Sequence, residues 1–181
     1  MINWTRKIFG RAYRKCSSLS QLVTAPELVR ELSLRGPSWT MPSHSLDECR
    51  SLLPGCVGLV RFEIGWLDWT ELPPELASLT RLEEVACWNV PIGTFPYHLQ
   101  DCPRLTRLVI RGGNLMEVTE EIYRFRCLSY LDLANNPLST IPSNMKERLR
   151  LRFLQLHDTP VRLTIPPESH DSPRPSMSND E

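Results

Sequence analysis

The chain has 181 residues, 41% of them hydrophobic, and its formal net charge is zero at pH 7. This length is enough for one buried core with short ends, and the chain lacks the overall positive charge typical of a general nucleic-acid groove. The charge is uneven, because residues 1–26 contain basic side chains and no acidic one.

The first predicted element is a basic amphipathic helix over residues 3–19, within an N-terminal segment that covers residues 1–27. At about 100° per residue the apolar side chains share one face, opposite the basic ones. The members of the apolar face are Trp4, Ile8, Phe9, Ala12, Cys16 and Leu19. The helix is interpreted as a cap over the domain that follows. Two alternatives stay open: contact with a membrane surface, and an address for a delivered bacterial effector or a membrane-targeted regulator.

A repeat with a period of 23 residues follows this segment. Each unit opens with a leucine in the pattern Leu-x-x-φ-x-φ, where φ is apolar. These leucines are Leu59, Leu82, Leu105, Leu128 and Leu151. An earlier unit at 29–34 fits the same strand pattern and precedes an insertion. In this insertion Ser45 and Glu48 have capping-box spacing, which predicts a short helix ending near Pro54-Gly55.

The second half of each unit continues the pattern, with an apolar residue at position 14 that is often followed by proline, as at Pro73, Pro96 and Pro142. Over residues 28–165 the chain resembles the short-repeat intracellular leucine-rich repeat proteins, with their Leu-x-x-Leu-Pro-x-x-Leu half-unit. The resemblance implies an α/β solenoid of about six repeats. A curved parallel sheet would form its concave side, and short helices or turns its convex side. One departure is position 9, where the family has asparagine and only Asn136 matches.

The candidate site is the concave face, formed by the outward strand positions of successive units. Its predicted residues are Arg61, Trp66, Glu84, Trp88, Arg107, Arg111, Tyr130, Phe153 and His157. Exposed Trp and Arg are common hot-spot residues, which favours a scaffold or adaptor that binds a protein partner of unknown identity. Two local interpretations remain open: Trp66 or Trp88 could pack on a loop, and the alternating charges at position 3 could pair within the sheet.

Other classes of function have little support in the sequence. The four histidines are scattered, and no serine or cysteine has a nucleophile motif, so we expect no enzyme, no cofactor and no metal site. Cys87 and Cys102 fall at inward positions and read as small hydrophobic residues. Together with the lack of a secretory signal pattern, they predict an intracellular, cytoplasmic protein. Residues 166–181 contain almost no apolar side chain and are predicted to be a disordered tail.

Overall fold

The computed structural model describes residues 14–23, 25–36 and 45–161. These residues form one parallel sheet whose strands follow each other in chain order. The strands are β1 (Arg14–Cys16), β2 (Val29–Arg35), β3 (Arg61–Gly65), β4 (Glu84–Trp88), β5 (Arg107–Arg111), β6 (Tyr130–Asp132) and β7 (Phe153–Gln155). The repeat therefore stacks unit on unit, as the period predicts.

Equivalent residues of successive units lie side by side in the sheet. Phe62 pairs with Val85, Val85 with Leu108, and Leu108 with Leu131, and all four side chains are fully buried. Each unit presents its apolar positions 1, 4 and 6 to the same side. A single unit cannot cover that apolar edge by itself, so the core is continuous along the stack.

The convex side consists of short helices and 3₁₀ turns. The helices are α1 (Leu46–Leu52) and α2 (Met145–Arg148), and the turns are Leu19–Gln21, Pro26–Leu28, Leu53–Gly55, Pro74–Ser78, Tyr97–Asp101 and Glu120–Arg124. Helix α1 lies in the insertion, and the hydroxyl of Ser45 accepts a hydrogen bond from the Glu48 amide at 3.5 Å. This N-cap confirms the short helix predicted there.

The predicted N-terminal helix is wrong in the part that the structure describes. Residues Arg14–Cys16 form β1, and Leu19–Gln21 form a 3₁₀ turn. Strand β1 pairs with β2, and Cys16 is fully buried opposite Leu32. Without β1, the edge of β2 would have backbone N–H and C=O groups without hydrogen-bond partners. Strand β1 provides these partners because it pairs with β2. The sheet thus begins before residue 28 and has one strand more than the six predicted units.

Several expectations fall on residues that the structure does not describe. Residues 3–13 of the predicted helix, with their membrane-surface and address interpretations, lie outside the described residues. The predicted tail, residues 166–181, lies outside them too.

The loops after the strands satisfy their backbone in two different ways. Asn136 is buried, and its Oδ1 accepts a hydrogen bond from the Leu115 amide at 3.2 Å. Two units earlier Val90 occupies the same position and is also buried, and in that unit the Ile92 amide, equivalent to the Leu115 amide, donates to the Val90 carbonyl at 2.7 Å. A local turn therefore replaces the asparagine where the repeat lacks it.

The buried cysteines behave as apolar core residues. Cys87 is fully buried and Cys102 nearly so, which confirms the sequence-based expectation for both. Burial raises the pKa of the Cys102 thiol to about 11 and that of the Cys49 thiol to about 12, and it raises the pKa of Cys87 as well. Thiols with such pKa values stay protonated at neutral pH and are poor nucleophiles.

Candidate functional site

The position 3 side chains form one continuous column across the concave face, which we call the concave ladder. Its members, one from each strand, are Lys15, Glu31, Arg61, Glu84, Arg107, Tyr130 and Phe153. In its charged part the closest nitrogen–oxygen distances between successive members are 3.5, 3.4, 2.7 and 3.0 Å. Every charge from Lys15 to Arg107 therefore has an opposite charge beside it.

The ladder confirms the prediction that the alternating charges pair within the sheet. Arg61 Nε donates a hydrogen bond to one carboxylate oxygen of Glu84, and Arg107 Nε lies against the other. The bond to Glu84 raises the pKa of Arg61. Exposed pairs of this kind stabilise a fold by only about 0–1 kcal/mol each. Their larger effect is electrostatic: the opposite charges from Lys15 to Arg107 neutralise each other, so this part of the concave face has little net charge.

The ladder continues into aromatic side chains at its C-terminal end. The guanidinium carbon of Arg107 lies 3.7 Å from the centre of the Tyr130 ring, and the Tyr130 and Phe153 rings are 5.7 Å apart. Phe153 is 58% exposed. Packing in the core therefore does not explain why an aromatic residue occupies position 153.

A second group of predicted residues meets beside the ladder. Arg111 Nη2 lies 2.7 Å from His157 Nε2, and because arginine can only donate, the histidine nitrogen is the acceptor. Arg111 Nη1 lies 4.0 Å from Asp132 Oδ2. Asp132 is buried although its position faces the concave side, and its Oδ1 accepts from the Ala134 amide at 3.0 Å.

Position 5 of the units was expected to be an outward part of the concave face, and sequence reasoning missed the burial of several side chains there. Val109 and Ala86 face outward by register, yet both are buried. Positions 3 and 7 of the same strands carry long side chains, namely Glu84 and Trp88 beside Ala86, and Arg107 and Arg111 beside Val109. The alternation of a strand gives the direction of a side chain but not how far its neighbours reach, so this burial had no direct signal in the sequence.

The two candidate tryptophans lie next to each other at the strand ends. Trp66 is 51% exposed, and the guanidinium of Arg35 lies 5.5 Å from its ring centre. Trp88 is half-buried at the end of β4, next to Gly65 in the sheet. Trp66 also has a left-handed backbone, with φ of 54°. Both lie at outward positions, as the register predicts.

The described part of the chain contains neither a metal-binding cluster nor a helix that could cross a membrane. Among residues 14–23, 25–36 and 45–161, no group of three or more His, Cys, Asp or Glu side chains is placed to hold a metal ion. Within the same ranges, no helix is long and apolar enough to cross a membrane.

Comparison with known proteins identifies the fold. No protein-family model matches the sequence. The structure is similar to a leucine-rich repeat protein of Leptospira interrogans, with a TM-score of 0.68 and 21% sequence identity over 83% of this chain. It is also similar to an internalin of Listeria monocytogenes, with a TM-score of 0.61 and 17% identity over 81% of this chain. The chain spans 36% and 39% of the lengths of these two proteins. The described residues form seven parallel strands in one open sheet, and the chain has the fold of a leucine-rich repeat solenoid.

Proposed function

We propose that this chain is a protein-interaction module, a scaffold or adaptor that binds a protein partner on its concave face. The observation that carries the proposal is the exposure of Trp66 and Phe153 on this face, at 51% and 58%. Large aromatic side chains that bury little of their surface contribute little to folding. Aromatic residues are, by contrast, the side chains that dominate binding energy at interfaces.

The charges of the face support a protein partner over a nucleic acid. The basic members of the concave ladder are paired with Glu31 and Glu84, so they do not form the unpaired positive stripe that binds phosphates. The proposal includes no catalytic step and no cofactor. It locates the module in a reducing intracellular compartment, which the buried thiols of Cys49, Cys56, Cys87 and Cys102 support.

The test is affinity purification with mass spectrometry on three matched forms of the chain. The first is the wild type, and the second is Tyr130→Ala/Phe153→Ala, which removes the aromatic end of the ladder. The third, Val57→Ser/Met116→Ser, removes apolar side chains that are 59% and 65% exposed, about as much as Phe153, but lie outside the concave ladder. Circular dichroism and a thermal melt establish that each form is folded.

We expect a partner protein to bind the wild type and the Val57→Ser/Met116→Ser control. We expect the same partner not to bind the Tyr130→Ala/Phe153→Ala variant. A partner retained equally by all three forms would place binding away from this end of the concave face and count against the proposal. Loss of the partner with the control variant alone would move the interface to the surfaces that carry Val57 and Met116.

A further inference from the structure

Position 8 of each repeat unit has a left-handed backbone conformation from the second unit onward. The residues there are Trp66, Asn89, Gly112, Asn135 and Asp158, with φ between 52° and 67°. In the first four of these units the position 8 amide donates to the position 7 carbonyl of the next unit, for example from Trp66 to Trp88 at 2.9 Å. The conformation thus recurs in five successive units whatever side chain the position carries.

Trp66 is the one residue at these positions that does not suit this backbone. Glycine, asparagine and aspartate tolerate the left-handed region, whereas a bulky side chain there is strained. Packing does not explain the choice, since half of the Trp66 surface is exposed. A strained residue that the fold does not need points to a role in function.

The preceding residue, Gly65, also departs from what the fold requires. Its φ lies outside the left-handed region, and a Cβ placed on it would make only ordinary contacts, at 3.5 Å and 3.7 Å to Trp88 atoms. Alanine would therefore fit and would stabilise the strand by restricting the unfolded chain.

Trp66 is thus strained in its backbone and exposed for contact, whereas the buried Gly65 before it places no side chain between Arg35 and Trp88. Arg35 and Trp88 lie on either side of Gly65 in the sheet, and Trp66 follows it at the strand end. We call the surface formed by Arg35, Gly65, Trp66 and Trp88 the Gly65–Trp66 notch. Gly65 is buried beneath its neighbours, so the exposed contact surface is provided by the side chains around it.

We infer that the Gly65–Trp66 notch is the anchor site for an uncharged apolar side chain of the protein partner. This inference rests on the proposed function and names the part of the concave face that carries the affinity. An apolar occupant follows from the charges, because Arg35 is already paired with Glu63 at 2.6 Å and the neighbouring ladder is also paired. A charged partner group would find no unpaired opposite charge there. The exposed indole surface favours an aliphatic or aromatic side chain.

The first measurement is the thermal stability of Trp66→Asn and Gly65→Ala. Asparagine suits the left-handed backbone, so Trp66→Asn is expected to raise the melting temperature by about 2–4 °C. Gly65→Ala is expected to raise it as well. A lower melting temperature for Trp66→Asn would show that the indole serves packing, and it would overturn the inference.

The second measurement uses a defined probe: peptides selected from a random library on the immobilised wild-type chain, then synthesised with a fluorescent label. Trp66→Asn and Gly65→Leu are expected to weaken binding at least about tenfold, as loss of a hot spot does. Val57→Ser, an exposed apolar change outside the notch, is the matched control. Raising the salt from about 50 to about 500 mM is expected to change the affinity less than about twofold, because screening acts on charge pairs.

The outcomes separate this inference from the proposed function. Peptides or a partner lost with Tyr130→Ala/Phe153→Ala but retained by Trp66→Asn would leave the concave-face proposal standing and overturn the notch. Selection of no peptide above background, or binding that salt abolishes, would also overturn it. If Gly65→Leu does not fold, the binding test relies on Trp66→Asn alone. This variant is expected to fold, because asparagine suits the left-handed backbone at position 66.

Discussion

Asn136 offers the sharpest test of how the repeat units are joined. Its amide nitrogen donates to the carbonyls of Ile110, Leu133 and Ala134 at 2.7, 2.9 and 3.2 Å, and its Oδ1 accepts from the Leu115 amide. Ile110 and Leu115 belong to the preceding unit. One buried side chain thus links two units through their backbones.

The change Asn136→Val isolates the hydrogen bonds from the volume of the side chain. Valine is the residue at the same position two units earlier, as Val90, and it is buried there. In the variant at least two buried backbone groups of the preceding unit lose their partner, and each such loss costs about 1–3 kcal/mol. We therefore expect destabilisation of about 2–5 kcal/mol, and the lower end applies if water enters. The melting temperature should fall by at least about 4 °C.

Urea unfolding followed by circular dichroism measures this difference in the free energy of unfolding. Ser139→Ala is the control, since its hydroxyl bond to the Met116 carbonyl is exposed and its loss should change stability by less than about 0.5 kcal/mol. Asn136→Val with the stability of the wild type would mean that the loop rearranges into the local turn seen at Val90. The side-chain hydrogen bonds of Asn136 would then not be what joins the two units.

Three further outcomes follow from the structure. Leu108→Ala should destabilise the chain by about 2–5 kcal/mol in urea unfolding, because it empties a fully buried position of a central unit. Gly36→Ala should lower the melting temperature clearly, because its Cβ would overlap the carbonyl oxygen of Trp66, and an unchanged melt would refute this contact. Burial lowers the pKa of His98 below its ordinary 6.5, so the unfolded chain binds that proton more readily and stability is lost as the pH falls below about 6.5. Unfolding in urea at about pH 7.5 and about pH 5.5 should therefore show a smaller loss for His98→Gln than for the wild type.

Part of the candidate site could be predicted from the register of the repeat. Because the strands pair in register, Glu31, Arg61, Glu84 and Arg107 had to lie side by side, and their alternation in charge predicted the ladder. The same register placed Trp66 and Phe153 on the outward side, where both are exposed. That these residues bind a partner stays a prediction.

The N-terminal strand shows where pattern reasoning failed. The segment that ends in Arg14, Lys15 and Cys16 carries apolar residues at helical spacing, and a three-residue strand offers only one inward side chain as a signal. Local periodicity favoured a helix. The unpaired edge of β2, which exists only once the sheet has formed, favours a strand.

The sequence alone determined the solenoid, its register, its inward-facing core positions and the short helix in the insertion, because a fixed period forces equivalent residues to stack. Only the tertiary structure decided that Val109 and Asp132 are buried on an outward face and that Asn136 joins two units. It also decided that Trp66 has a left-handed backbone. These features depend on the reach of neighbouring side chains and on hydrogen bonds between units, and such contacts form only when distant parts of the chain come together.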